Sequence, residues 1–418
     1  MLHKFEQGGI YVILDVNSGA VYEVDRETYG LCEPELCELL EINAEDNDNY
    51  AGYADMNVDA PLKAMCLHVS HDCNLKCAYC FADENIREHA VMSVETGRKA
   101  VDFLIKGSGD REFLEIDFFG GEPLMAWETV VSTVEYAKKQ ARSEGKNFKF
   151  TITTNGLLLD DEKINYINAE MSNVVLSLDG RREINDKMRP CINNKGSYDV
   201  VLPKFKKLLN SRTKEEKTDY FIRGTFTKNN LDFADDVLHI ASQGFRHISI
   251  EPAALPFEMP FALQLSDLPA IKSEYDRLFE IVLKNQGKWN FFHFQIDLNN
   301  SPCILKRLRG CGAGNEYIAV APDGNIFPCH RYVGIERWKM GNINEGDLSL
   351  PIKTYFSKMH IYAKEKCLGC WAKFYCAGGC NAENFLFEGD ACRPPEIFCE
   401  MMKKRLECAI ALACIRMR

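Results

Sequence analysis

The stretch MCLHVSHDCNLKCAYC (65–80) decides how the chain is read. Its first six residues, MCLHVS (65–70), form a short apolar run of the kind that fills a buried strand. The loop after that strand carries Cys73, Cys77 and Cys80. Thiolates so close in sequence can converge on one metal centre. A structural zinc site wants four ligands, usually in two pairs. Three cysteines without a fourth nearby instead suit a [4Fe–4S] cluster with one iron left open to a further ligand. The alternative is a zinc knuckle completed by His68 or His71.

Outward from this stretch, residues 61–260 repeat a strand, a loop and a helix. The strand candidates are MCLHVS (65–70), FLEIDFF (113–119), FKFTITT (148–154), NVVLSLD (173–179), DYFIRGTF (219–226) and RHISIE (246–251). Helical patterns lie between them, as in SVETGRKAVDFLIK (93–106) and TVVSTVEYAKKQA (129–141). This alternation predicts an α/β fold with a parallel sheet and right-handed crossovers, either open or closed into a barrel. In such barrels ligands bind at the C-terminal ends of the strands. The unusual polar elements all fall there: Gly120-Gly121-Glu122-Pro123, Thr153-Thr154-Asn155-Gly156, Ser177-Leu178-Asp179-Gly180 and Glu251-Pro252. The glycine pair is read as a place where main chain approaches a ligand closely.

Residues 1–60 read as a small separate unit. IYVILDV (10–16) and AVYEVD (20–25) flank a short turn, TYGLCEPELCELLE (28–41) reads as helical, and the acidic stretch 44–59 reads as a linker. Residues 261–300 join the middle to the end through a helix over 267–285. Residues 301–418 hold most of the 18 cysteines and close with a helix over 398–415. The net charge of −11 argues against nucleic acid or anionic lipid as a partner. No run approaches the roughly 20 apolar residues of a membrane span. MLHKFEQGGIYVILDV (1–16) lacks the features of a secretory signal. A cytoplasmic, reducing location is therefore expected, where clustered cysteines bind metal.

CxxxCxxC after the first strand and GGEP after the second resemble the radical S-adenosylmethionine enzymes, which implies a partial (β/α)6 TIM-like barrel. By that resemblance Cys73, Cys77 and Cys80 hold a [4Fe–4S] cluster, and its open iron takes S-adenosylmethionine. Gly121 and Glu122 meet the cofactor's amino group, Ser177 its ribose and Arg189 its carboxylate. Asn155 belongs to the same rim, and Tyr79 and Phe81 pack near the adenine. The order Cys311, Gly324, Cys329, Cys367-x2-Cys370-x5-Cys376-x3-Cys380 and Cys399 resembles the SPASM domain, which implies two auxiliary [4Fe–4S] clusters. Cys311, Cys329 and Cys380 would hold the first, and Cys367, Cys370, Cys376 and Cys399 the second. Cys303 either completes the first cluster or leaves its iron open. The alternative is a pair of structural zinc sites. The remaining cysteines are Cys32, Cys37, Cys66, Cys191, Cys303, Cys392, Cys408 and Cys414, and most are expected to be buried apolar thiols.

Residues 1–60 resemble the RiPP recognition element, a winged-helix-like peptide-binding domain that adds a leader peptide as an extra strand. The alternative is a packed cap of the barrel. LDVNSGAVYEVD (14–25), HVSHDCNLKCAYCFA (68–82), FPCHRYVG (327–334) and KKRLECAIA (403–411) together resemble the SCIFF peptide maturases. That resemblance implies a thioether from a cysteine sulfur to an α-carbon in a Cys-rich precursor peptide with a leader. It also implies a flavodoxin- or ferredoxin-type electron donor. Anaerobic sulfatase-maturating enzymes carry an aspartate base directly after an auxiliary-cluster cysteine; here His330 follows Cys329, and His330 is the candidate base. The remaining alternatives are a different radical maturation, formylglycine formation among them, and a non-catalytic leader-binding cluster protein.

Overall fold

The computed structural model describes residues 1–42, 50–54, 60–80, 89–212, 219–299, 303–346 and 348–418. Six parallel strands follow the sequence reading closely: β4 Ala64–Ser70, β5 Phe113–Gly120, β6 Asn147–Thr154, β7 Asn173–Ser177, β8 Asp219–Phe226 and β9 His247–Pro252. They neighbour one another in chain order, each parallel to the next. Side chains of β4 alternate between two cores. Met65, Leu67 and Val69 pack outward with the helix residues Val101, Leu104 and Val130, whereas Cys66 packs inward with Ala319 and Cys329. Both faces are covered, so every residue of β4 is buried.

Local chemistry sets the helix ends. Ser93 and Asp160 cap the helices Val94–Gly107 and Asp161–Glu170 by accepting from Thr96 N and Lys163 N. Gly145, at φ 63°, closes the helix Trp127–Glu144 in the left-handed conformation.

The sheet runs across the boundaries expected at 260 and 300. Among the described residues it has ten strands, because β10 Asn290–Phe291 extends it parallel to β9, and β11 Tyr317–Val320 adds parallel to β4 at the other end. The strands β12 Asn325–Phe327 and β13 Gly341–Asn342 follow antiparallel. An unpaired β4 would expose a row of backbone donors and acceptors, and the Cys-rich region supplies the strand that satisfies them.

The N-terminal region also departs from its reading. It is a three-stranded antiparallel meander of β1 Leu2–Gln7, β2 Ile10–Asp15 and β3 Val21–Val24. The first strand had no clear signal, since only Phe5 and Gln7 along it are buried. The helical stretch expected over 28–41 is two helices, Arg26–Gly30 and Glu33–Leu39. Leu31 is extended between them, and Cys32 and Pro34 begin the second. Most of the expected linker lies outside the described residues. Its described part is docked: Tyr50 meets Phe374 edge-on at 4.9 Å, and Arg309 Nη2 donates to Ala54 O at 2.6 Å.

The meander is packed onto the body of the molecule. Phe5, Ile10, Val12 and Leu14 belong to the same apolar cluster as the barrel and the terminal helix Glu396–Met417. His3 stacks on Trp371 with centroids 3.8 Å apart, and Lys404 Nζ donates to Gln7 Oε1. Leu14→Ala should therefore cost the whole chain about 2–5 kcal/mol, as for other buried leucines. Urea unfolding followed by far-UV circular dichroism checks this. A separate early transition, with the main one unmoved, would mean that the meander folds as its own unit.

Candidate functional site

Cys73, Cys77 and Cys80 sit on the loop leaving β4 and lie close enough to act on one another electrostatically. Burial pushes the Cys73 thiol up to about 11 and the Cys77 thiol up to about 12, while Arg189 pulls Cys77 back down. Buried thiols beside a guanidinium fit a metal group that takes them as thiolates. Among the described residues no three His, Cys, Asp or Glu side chains are grouped for a single metal ion.

Two buried carboxylates brace the rim around this loop. Glu122 accepts from Leu124 N at 3.0 Å, Thr154 Oγ1 at 2.7 Å and Asn155 N at 2.8 Å, tying the end of β5 to the end of β6. Burial pushes its carboxyl up to about 7, against these bonds. Asn155 Nδ2 reaches the cysteine loop, donating to Asn74 Oδ1 at 2.8 Å and Cys73 Sγ at 3.7 Å. Asp179 is 0% exposed. It accepts from Tyr79 Oη at 2.6 Å, Arg189 Nε at 3.0 Å and Thr225 N at 2.9 Å. The Arg189 guanidinium also lies over the Tyr79 ring, 5.3 Å from its centroid. Burial opposes the charge on Arg189, but Asp179, Tyr79 and Cys77 outweigh it and raise its pKa.

These contacts refine the sequence reading. The glycine pair packs against protein: a Cβ on Gly120 would stand 2.2 Å from Ser70 O, and one on Gly121 would stand 2.3 Å from Asp72 O. The rim is thus locked onto the cysteine loop by backbone approach. Tyr79 is a strut between Asp179 and Arg189, and Arg189 is an ion-paired interior residue. Ser177 is half-buried at the end of β7. Phe81 lies outside the described residues. Sequence reasoning gave no role to Asp179 itself; a carboxylate in SLDG ten residues before an arginine was the available signal.

The inward face of the sheet is polar. Arg223 pairs with Glu251 at 2.6 Å, and Arg331 with Glu383 at 3.1 Å. His68 is fully buried and packs near Phe119, with centroids 5.7 Å apart, and Phe119 lies 5.2 Å from His330. This lining joins the cysteine loop to Cys329. His330, the candidate base, belongs to this lining. Burial, then Arg331 and Arg223, pulls its pKa down to about 3, so its protonated form is disfavoured at neutral pH.

In the C-terminal region the thiols fall into two neighbourhoods. Cys329 feels Cys380 and Cys311, and Cys380 feels Cys311. Cys367 feels Cys376, Cys370 and Cys399, and Cys399 feels Cys376 and Cys370. Burial raises Cys367 to about 12, and Cys380 and Cys399 each to about 11. Cys392 points elsewhere, with Sγ 3.3 Å from Met359 Sδ. Cys303 is exposed where the helix Ile304–Arg309 begins. The expectation that most other cysteines are buried fails: only Cys66 and Cys408 are, while Cys32 and Cys303 are exposed. Cys32 serves as a helix N-cap, a surface position.

Comparison with known families agrees with this layout. The Radical SAM superfamily matches residues 67–237, and the SPASM iron-sulfur cluster-binding domain matches residues 311–371. The chain carries a radical SAM domain followed by a SPASM domain. A cysteine-type anaerobic sulfatase-maturating enzyme of Clostridium novyi is 26% identical over 81% of this chain and 92% of its own length. The solved structure of native anSMEcpe with bound AdoMet and Kp18Cys peptide has a TM-score of 0.68 at 23% identity. It covers 85% of this chain and 99% of that one. Streptococcus suis SuiB bound to precursor peptide SuiA has a TM-score of 0.58 at 15% identity, covering 95% of this chain and 98% of that one. The likeness to both structures is one of fold. Among the described residues no helix is long and apolar enough to cross a membrane.

The brace at Asp179 can be tested directly. Asp179→Asn leaves Arg189 buried without its anion and should destabilise the radical SAM domain by about 3–5 kcal/mol. Tyr79→Phe removes one hydrogen bond to the same carboxylate and should cost about 1.5–3 kcal/mol. Denaturant midpoints of the two variants check both the size and the order.

Proposed function

We propose that the chain is a radical S-adenosylmethionine peptide maturase that joins a cysteine sulfur to an α-carbon of a ribosomally made, Cys-rich precursor peptide. The observation that carries this reading is the arrangement of three thiol groups. Cys73, Cys77 and Cys80 are near one another on the loop after β4, Cys311, Cys329 and Cys380 form a second neighbourhood, and Cys367, Cys370, Cys376 and Cys399 a third. Each group would hold one [4Fe–4S] cluster. S-adenosylmethionine on the open iron of the first would supply a 5′-deoxyadenosyl radical, and an auxiliary cluster would take up the electron released as the C–S bond closes.

The chain's own residues do the rest. Glu122, Asn155 and Asp179 fix the cysteine loop against the strand ends, which sets where the cofactor sits. Arg189 supplies positive charge beside Cys77, suited to the cofactor's carboxylate. Ser177, at the end of β7, is available to the ribose. Arg223, Glu251, Arg331 and Glu383 line the space where a peptide would lie, and their pairing gives it both donors and acceptors. Among the described residues the outer strand β3 pairs only with β2. Its free edge suits a leader peptide adding as a further strand.

Formylglycine formation is the second reading, favoured by the similarity to the Clostridium novyi enzyme. His330 follows Cys329 where that activity carries an aspartate base, and the missing carboxylate counts against it. Thioether formation is therefore preferred.

Anaerobic reconstitution with S-adenosylmethionine, a reductant and a Cys-rich peptide tests the proposal. The wild type should release 5′-deoxyadenosine and give a peptide lighter by two hydrogens for each cross-link. Replacing Cys73, Cys77 and Cys80 together by alanine should abolish cofactor cleavage while leaving the iron of the C-terminal region in place. Cleavage that survives this change would overturn the assignment. A formylglycine aldehyde in the product would favour the second reading.

A further inference from the structure

We propose that Lys364 is the fixed counter-charge of both C-terminal cysteine sets and raises the reduction potential of the clusters they would hold. The inference rests on the reading above that these sets are cluster sites.

The Lys364 side chain is 0% exposed. Its Nζ donates to Gly378 O at 2.8 Å and to Asn381 Oδ1 at 2.8 Å. Both acceptors are neutral oxygens. Burial opposes its charge and lowers its pKa, and Cys367 and Cys376 of the second set and Cys380 of the first act against that, as does Cys392, which belongs to neither set. Burying an ammonium without an anion is costly, and removing the partner of a buried charge is among the more destabilising changes known. The thiols around Lys364 are neutral while protonated. They become a source of negative charge once they are thiolate ligands, and the lysine then has what its burial requires.

The backbone shows that this position is built. Lys364 O accepts from Cys367 N at 2.8 Å, so the residue also fixes the turn that carries Cys367. Gly378, at φ +78°, lies between Cys376 and Cys380; a Cβ there would stand 2.7 Å from Lys364 Cδ. Asn381 directly follows Cys380. One side chain thus touches the loop shared by the two sets and the turn that begins the second. Its charge is held in place with respect to both.

The sign follows from the charge. A cluster gains one negative charge when reduced, and a nearby fixed cation stabilises that state more than the oxidised one. The potential rises, and the C-terminal clusters become better electron acceptors. That is the direction required of a group that takes an electron from a substrate radical.

The test uses the full chain, reconstituted anaerobically with iron and sulfide. Lys364→Gln keeps an amide donor for Gly378 O and Asn381 Oδ1 but removes the charge. Iron content and the midpoint potential of each cluster are read by redox titration with electron paramagnetic resonance. The expected result is wild-type iron content, lower potentials for the two C-terminal clusters and an unchanged potential for the Cys73–Cys77–Cys80 cluster. Full iron with unshifted C-terminal potentials would overturn the proposal and leave Lys364 a purely structural role. If Lys364→Gln fails to retain iron, Asn381→Asp is the second arm. It places a carboxylate against the ammonium, and the C-terminal potentials should again fall; unshifted potentials there overturn the proposal too. A wild-type chain that binds no iron in its C-terminal region would instead sink the functional reading on which this one rests.

Discussion

Parallel strands that all end on one side leave loops which nothing in the sheet itself holds together. In this protein two buried carboxylates do that work. Glu122 gathers donors from its own turn and from the end of β6, and Asp179 gathers them from the cysteine loop, from Arg189 and from β8. The contacts from Thr154, Asn155, Tyr79 and Thr225 join segments 32 to 100 residues apart, so the position of the Cys73–Cys80 loop is tied to several strand ends. Buried carboxylates are tolerated only when their lone pairs are used, and here the donors that satisfy them are the residues that build the site. The brace and the site are one structure.

The auxiliary region follows a different rule. It has few regular elements, and its two thiol neighbourhoods share a single short loop, Cys376 to Cys380. Any groups held by the two sets must therefore lie near one another. The first set also meets the sheet through Cys329, which packs in an apolar cluster with Cys66 of β4, Phe327, Tyr332 and Trp338. A path from the sheet through the first set to the second is thus defined by covalent connectivity as much as by packing.

Much of this was legible in the sequence, and the reasons differ by element. The six central strands were readable because a strand covered on both faces is a nearly continuous apolar run. Close spacing made Cys73, Cys77 and Cys80 readable as one group, because spacing within a loop limits which thiols can meet. Other features had no local signal. Asp179 became a brace only because the register of β7 against β8 brings Thr225 to it, and register is a tertiary fact. The pairing of β11 with β4 could not be inferred from either strand alone. The first strand, LHKFEQ, buries too little to show a pattern, and the helical stretch expected over 28–41 breaks where Leu31 turns extended before Pro34. Free cysteines were assigned to the core on their usual behaviour, but Cys32 caps a helix at the surface.

The closure of the molecule by its two ends has a bearing on how it is made. His3 meets Glu407 across 404 residues of chain, and Arg418 meets Glu23 across 395. The parallel partner of β4 is not synthesised until most of the chain has left the ribosome. Contacts of such high separation must wait, because their loop-closure cost falls due before any native pairing repays it. A nascent chain would hold the cysteine loop early and complete the sheet around it late. That order leaves an interval in which the Cys73–Cys80 loop stands beside a strand edge that the C-terminal region has not yet covered.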